Sequence, residues 1–416
     1  MIKKSPTRMI YFLWLFHVPE FKNYKHMKKF IYLITVVLLV SACIKDPDFN
    51  SYTIALKVIL NEEITGQIIN NAKVTLINLQ KGYTIQAYMD STGLIAFNAV
   101  EPGFYAATLS HSYAVGPFTQ NLNGTLEIMA FSSVNETIPV VMSTSNALVI
   151  KEYYYSSSIT PAGNQYSSDQ FIEIYNNSED IVYIDGLSII EHESYGISTN
   201  FWANLTDKFA VRMIWTFPGD GDDYPINPGS SVVIARDAFN HKSDPNGNPL
   251  APVDLGNANF EFWVDMPSGS DIDNFTSPNM IEDLFTFRGS DVVFHVQGGS
   301  AIALVDIALD PVERKNYIDN NLVRKEISSS RWYGLIANDM VVDAVEVVFD
   351  EARAVYKRFP VVVDAGYTYV PSGSKSGKGL RRKIKSITEG RTVYQDTNNS
   401  TEDFIKDVIP KPWIYE

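Results

Sequence analysis

The sequence predicts an all-β protein made of β-sandwiches, and three observations carry that expectation. Runs at 53–60, 72–77, 231–235 and 360–363 alternate in polarity or are rich in β-branched residues, as strands are. Clusters of Asn, Asp, Gly, Pro and Ser separate them, and these are turn-formers. Helical periodicity is scarce, with 310–320 and 344–358 as the two stretches that mix apolar and charged residues in that manner. The chain is 45% hydrophobic and 12% aromatic, enough for packed cores and too much for wholesale disorder.

The N-terminal region predicts export. Met27-Lys28-Lys29 is followed by the apolar run 30–40 and then by Ser41-Ala42-Cys43. This is the order of a secretory signal: basic end, greasy middle, small residues before the cut. The run is too short for a membrane-spanning helix, which needs about 20 residues. Residues 27–42 are therefore expected to be a lipoprotein signal peptide. Val40-Ser41-Ala42-Cys43 resembles a lipobox, which implies lipid attachment at Cys43, the chain's one cysteine. With no second cysteine, a disulfide framework or zinc–thiolate site is excluded.

Residues 1–26 read as an upstream extension, with translation starting at Met27. They carry five Lys/Arg and one Asp/Glu, so the formal charge of −14 becomes −18 from Met27 and −20 without Lys28 and Lys29. So acidic a protein is repelled by nucleic-acid phosphates and anionic lipid surfaces. Residues 43–50 form a tether in which Lys45 and Asp46 resemble the lysine-plus-acidic export signal of Bacteroidota lipoproteins. That resemblance implies the outer face of the outer membrane; a periplasm-facing anchor is the alternative.

Residues 43–416 number 374, which suggests two or three domains. The first is expected over 51–143. There Asp90 to Gly93 forms a turn, 94–97 a strand, and Pro102-Gly103 a type II turn with φ > 0 at Gly103. With Phe97 and Tyr105, this stretch resembles the carboxypeptidase-regulatory-like (prealbumin-like) sandwich, an immunoglobulin-like fold in which Gly93, Phe97, Pro102 and Tyr105 serve folding. The second domain is expected over 147–416, after a short polar link. It carries Val149-Ile150-Lys151-Glu152, Phe171-Ile172-Glu173-Ile174-Tyr175-Asn176-Asn177, Pro228-Gly229 before a strand, and a closing Asp396-Thr397-Asn398-Asn399 turn. These strings resemble a lamin-tail-like β-sandwich, enlarged by an insertion at about 236–330. The combined layout resembles an uncharacterised lipoprotein family of Bacteroidota.

Searching for chemistry yields little. His111, His192, His241 and His295 show no metal-binding spacing, and no nucleophile-elbow motif occurs. His241 is expected to be a hydrogen-bonded structural residue. The acid-rich loop with Asp220, Asp222 and Asp223 offers oxygen ligands around glycines, which suits calcium, although solvated turns are the more ordinary explanation of such loops in so acidic a protein. Asp244, Asp271 and Asp273 add further acids. Glu152, Glu173 and Asp185 are candidates for a carboxylate pair. Trp202, Trp215, Trp263 and Trp332 could stack on sugars, against a more ordinary place in the core. Lys375, Lys378, Arg381, Arg382, Lys383 and Lys385 form one basic island, readable as a docking patch or a solvated hairpin.

The expectation is a non-enzymatic, lipid-anchored outer-membrane binding protein with no cofactor and no nucleic-acid partner. Two alternatives stand beside it. One is an accessory lipoprotein that captures a glycan, peptide or metal complex for a TonB-dependent transporter. The other is a hydrolase with its site in 236–330.

Overall fold

Strand after strand buries one face in the first part of the chain. The computed structural model describes residues 51–415, apart from 116–117, 267–270 and 288. In chain order the strands are β1 (Tyr52–Lys57), β2 (Lys73–Asn78), β3 (Thr84–Tyr88), β4 (Leu94–Val100), β5 (Gly103–Val115), β6 (Phe118–Ala130), β7 (Val134–Thr137) and β8 (Val140–Thr144). One sheet runs β4-β1-β7 and the other β3-β2-β5-β6-β8. Alternation places Val74 and Leu76 inward, where they meet Ile54, Leu56, Phe97 and Tyr105 in a common core.

The Asp90 turn forms as expected. The Asp90 carboxylate accepts from the Thr92 and Leu94 amides, and Gly93 sits at φ +73° with its α-carbon against the Val58 carbonyl. Gly103 departs from expectation. It is the first residue of β5 and lies outside the left-handed region, so Pro102-Gly103 is no type II turn. What Gly103 provides is room: a Cβ there would lie 3.0 Å from Gln80 Oε1 and 3.2 Å from Asn78 Nδ2.

A second, larger sandwich follows. Its strands are β9 (Leu148–Tyr154), β10 (Ser158–Ile159), β11 (Gln165–Tyr166), β12 (Phe171–Asn176), β13 (Val182–Tyr183), β14 (Ser188–His192), β15 (Lys208–Thr216), β16 (Pro225–Ile226), β17 (Ser231–Ala235), β18 (Phe260–Glu261), β19 (Ile281–Phe285), β20 (Ile302–Val305), β21 (Leu322–Val323), β22 (Tyr333–Ala337), β23 (Val341–Val345), β24 (Gly379–Arg382), β25 (Ile384–Thr388), β26 (Arg391–Tyr394) and β27 (Phe404–Val408). One sheet runs β18-β17-β12-β9-β24-β27. The other runs β21-β22-β15-β14-β20-β23, with β19 also on β15. Ile150, Ile172 and Ile234 of the first meet Ile189, Trp215, Ile302 and Leu304 of the second. The chain is thus all-β, built as sandwiches.

Both large sheets are covered on their outer faces too. The helix Pro311–Asn320 lays Ile318 on Ile190, Phe209, Val211 and Ile336. Tyr154, Phe171 and Val233 pack under Val253 and Leu255. Hence β9, β12 and β14 are buried along their whole length, and the charged residues they carry, Lys151, Glu152, Glu173 and Glu191, are buried with them. Residues 236–330 contribute β18, β19, β20, the helix and β21, and β20 lies inside its sheet between β14 and β23. Residues 52–416 cluster as one compact unit, tied across the two sandwiches by Asn121 and Asn123 amides on the Asp396 and Thr397 carbonyls.

Two sequence expectations change here. The stretch 344–358 is no helix: it begins within β23 and holds one short 3-10 segment, Glu351–Tyr356. Burial of Val345, Val347 and Val348 at the sheet explains its apolar content. Residues 360–363 form a turn, closed by the Val363 and Asp364 amides on the Pro360 carbonyl, and Val363 packs under the helix.

Candidate functional site

The residues singled out by sequence are dispersed. Cys43, Lys45 and Asp46 lie outside the described residues. Asp220, Asp222 and Asp223 are exposed in one loop, which Asp185 organises instead: its carboxylate accepts from the amides of Gly221, Asp223 and Tyr224 at 3.0–3.2 Å. Gly219 allows this close approach, since a Cβ there would overlap Asp185 Oδ1. Among the described residues no group of three or more His, Cys, Asp or Glu is placed to hold a metal ion. The backbone of this acid-rich loop is thus organised by the Asp185 carboxylate.

Glu152 and Glu173 do meet, as cross-strand partners on β9 and β12, but both are buried and committed. Glu173 pairs with Lys151 at 2.7 Å and accepts from Ser231, while Glu152 pairs with Arg381 at 2.9 Å. Part of the basic island is consumed too, while Lys375 and Lys385 stay exposed. Arg382 is fully buried among Asp343, Asp396 and Asp403, and Lys383 donates to the Glu402 carbonyl. His241 is structural, held by the Tyr166 hydroxyl at 2.8 Å and the Asp237 carbonyl at 3.0 Å; burial pushes its pKa down to about 4. Of the tryptophans, Trp215 is in the core and Trp332 is 40% exposed.

Trp332 lines the larger of two adjoining cavities. It holds about 880 Å³ between β19 and the helix Pro311–Asn320, and its wall includes Asp283, Phe287, Lys315, Asp319 and Arg331. The smaller, about 360 Å³, reaches the end of the inter-sheet core at Glu191, Tyr195, Arg212, Phe294 and His295. Phe285, Phe287 and Ser290 belong to both walls, so the cavities adjoin around the end of β19.

A β-bulge makes this place. Glu191 opposes Met213 and His192 opposes Val211, which leaves Arg212 as the extra residue of β15. The bulge inverts the alternation. Phe209 and Val211 face the helix side, whereas Met213 and Trp215 face the inter-sheet core. Along the same edge β22 stops at Val211 and β19 begins at Met213, and Arg212 falls at the gap. The Thr286 amide on the Arg212 carbonyl and the Thr286 hydroxyl on the Trp332 carbonyl stitch the two strand ends together.

The Arg212 guanidinium lies 4.6 Å from the Tyr195 ring centre and 5.4 Å from that of Phe287. Its Nε and Nη2 both point at Glu191 Oε2, at 2.7 and 2.5 Å. Glu191 Oε1 is consequently left without a hydrogen-bond partner among the described residues, although the side chain is buried. Asp291, ion-paired to Arg236 through Oδ2, likewise has a free, buried Oδ1. His295 donates from Nδ1 to the Gly298 carbonyl at 2.7 Å, and burial lowers its pKa, so the ring is neutral. Such a groove presents aromatic walls, with the unfilled carboxylate oxygens buried behind them.

Sequence reasoning named Trp332 and His295 and missed Glu191, Tyr195, Arg212, Phe287 and Asp291. A signal was present: Glu191 and Arg212 each interrupt an otherwise apolar strand with opposite charge. Reading it required knowing that those two strands pair.

Comparison with known proteins gives a family without an assigned activity. Residues 227–411 match the DUF4876 family, described as a protein of unknown function. A crystal structure of a DUF4876 family protein from Bacteroides thetaiotaomicron is 27% identical, with a TM-score of 0.58 over 86% of this chain and 96% of its own. A DUF3823 family protein from Bacteroides ovatus is 12% identical, with a TM-score of 0.17 over 44% of this chain and 98% of its own. No curated protein matches. Residues 227–411 thus match the DUF4876 family, and the chain is similar, over most of its length, to a solved Bacteroides member of that family.

Proposed function

We propose that this protein is a lipid-anchored, non-enzymatic binding protein of the outer membrane whose ligand seat is the groove around the end of β19. The lipobox-like Val40-Ser41-Ala42-Cys43 supports the anchor, and Lys45-Asp46 supports a surface-facing orientation. The likeness of the two sandwiches to prealbumin-like and lamin-tail-like modules belongs to the same proposal. One observation carries the binding role: two cavities of about 880 and 360 Å³ lie side by side with Phe285, Phe287 and Ser290 as a common wall, beside exposed aromatic rings.

Binding fits better than hydrolysis because the carboxylates of the groove are engaged. Asp283 pairs with Arg314, Asp319 with Lys315, Glu191 with Arg212 and Asp291 with Arg236. Glycoside hydrolysis needs a protonated carboxyl facing a free carboxylate across the scissile bond.

Two experiments test this. Wild-type cells fed labelled palmitate should label the protein, and Cys43→Ala should abolish both label and membrane fractionation. Thermal-shift screening against a mixed library of glycans, peptides and small metabolites should find a stabilising ligand. Ser290→Trp, which places a bulky ring at the wall the cavities share, should remove that shift. A ligand that stabilises Ser290→Trp as much as wild type places binding elsewhere.

A further inference from the structure

The outer face of the first sandwich changes character along its length. In the sheet β3-β2-β5-β6-β8, residues opposite one another across β2, β5 and β6 form rows on that face. The row Lys73–Ser110–Asn123 meets the second sandwich: Lys73 pairs with Glu402, and the Asn123 side-chain amide donates to the Thr397 carbonyl. The next row is Thr75–Thr108–Thr125, polar as the solvated face of an antiparallel sheet is.

Six residues beyond Lys73, about 20 Å along the strand direction, the pattern breaks. The Leu79 amide donates to the Phe104 carbonyl at 2.9 Å, and Phe104 opposes Met129, so these three make the last row. They are 47%, 42% and 65% exposed. Phe131, 52% exposed, sets its ring edge-on to Phe104 with centroids 5.5 Å apart. Exposed apolar side chains are ordinary when scattered, but four side by side at one tip are a patch, and patches mark interfaces.

The place of this tip in the chain says what covers it. β1 opens at the same end: Tyr52 opposes Val100, which leads through Glu101 and Pro102 into β5. The Thr53 amide donates to Ser133 Oγ, two residues beyond Phe131. Cys43 stands nine residues before Tyr52, so at most about 32 Å of extended chain separates it from this end of the sandwich. The charged side chains beside the patch, Lys81 and Glu101, neutralise each other in an ion pair at 2.5 Å, so neither opposes an approach to lipid.

Resting on the lipid-anchor reading of Cys43, we infer that this tip is a membrane-contact surface. Leu79, Phe104, Met129 and Phe131 enter the apolar boundary of the bilayer that holds the lipid, as the aromatic and aliphatic side chains of interfacial segments do. The lipid then tethers the chain and the tip orients it, with the second sandwich carried at the far end of the same sheet.

The test uses the full chain, purified from detergent-treated cells and reconstituted in vesicles of phosphatidylcholine and phosphatidylethanolamine. Wild type should take up no thiol-reactive dye, because lipidation occupies its one cysteine. Met129→Cys then places a dye at the tip. Leu94→Cys places one at the opposite end of β1, where Leu94 faces Lys57 and is also exposed. Lipid carrying a nitroxide on its acyl chain should quench the dye at 129 at least fivefold more than the dye at 94, and aqueous iodide should do the reverse. Equal iodide quenching at both positions, in a wild type that takes up no dye, overturns the membrane contact and leaves the anchor standing. Shielding at 129 without nitroxide quenching means that protein covers the tip instead, a second copy where the shielding grows with protein density, and overturns the contact too. Dye uptake by wild type shows a free Cys43 and overturns the anchor together with this placement.

Discussion

Arg382 sits in β24 with its side chain almost wholly buried, and three carboxylates converge on it: Asp343 at 2.5 Å, Asp403 at 3.4 Å and Asp396 at 3.5 Å. Its Nε also donates to the Ile150 carbonyl, which joins β24 to β9. Removing one partner from a buried ionic cluster typically costs about 3–5 kcal/mol, because the others are left uncompensated. Arg382→Met should therefore destabilise the protein by about that amount in urea titration at pH 8. Burial already holds Asp343 and Asp403 up at about 7, so acid should relieve the defect by protonating them. An Arg382→Met loss as large at pH 5 as at pH 8 would speak against three stranded carboxylates. In the sequence Arg382 is one of six basic residues within a short stretch and reads as part of an exposed patch. Its partners lie 39 residues before and 14 and 21 residues after it, so proximity along the chain does not reveal them.

Among the elements, the helix Pro311–Asn320 was the most legible. Asp310 precedes proline, and its carboxylate accepts from the Val312 and Glu313 amides at 2.9 Å, as an N-cap does. Asp310→Ala should cost about 1 kcal/mol, and Asp310→Asn should be close to neutral, both measured by thermal unfolding. Equal losses in the two variants would mean that charge, rather than the cap geometry, is what the helix uses. The strands at 231–235 and the turn before them were legible for similar local reasons: Gly229 is at φ +75°, and the Ser230 amide closes on the Asn227 carbonyl. Where the reading erred, tertiary packing decided. Val345, Val347 and Val348 carry apolar content that mimics an amphipathic helix, yet they are buried at a sheet. The bulge at Arg212, on which the groove depends, has no local signature. It exists because β14 and β15 pair with one residue to spare, and only that pairing sets Arg212 beside Glu191.

For the whole molecule, β-sandwich architecture followed from strand-like runs and turn residues, but the strand order did not. β20 lies between β14 and β23, which lie more than 100 residues before it and about 40 after it, and alternation along a strand names no partner. Global burial has a consequence for pH. Asp169, Glu261, Asp271, Asp343 and Asp403 are each pushed up to about 7 by burial, against an ordinary carboxylate value of about 4. Between about pH 4 and 7 the folded state therefore holds protons at these groups that the unfolded chain has lost, and stability falls as pH rises through that window. Four histidines act oppositely: burial lowers His111, His192, His241 and His295, His192 to about 3 and His241 to about 4, so the unfolded chain binds the extra protons below about pH 6.5. Burial also raises Glu173, Asp237, Glu346 and Asp396, so nine carboxyls outweigh four histidines, and above about pH 6.5 the histidines contribute no slope at all. Asp90, held below the ordinary range by its hydrogen bonds to Thr92 and Leu94, acts at still lower pH and does not enter. The melting temperature should accordingly fall between pH 5.5 and 7.5 and level off above about pH 8. Asp169 isolates the effect best, because its carboxylate is held by the Ser158 and Tyr154 hydroxyls and has no ion-pair partner among the described residues. Asp169→Asn keeps an oxygen for those donors and removes the titration, so its profile should be shallower than wild type across the same window. A wild-type melting temperature that rises from pH 5.5 to 7.5 would mean that the histidines, not the carboxylates, govern the fold's response to acid.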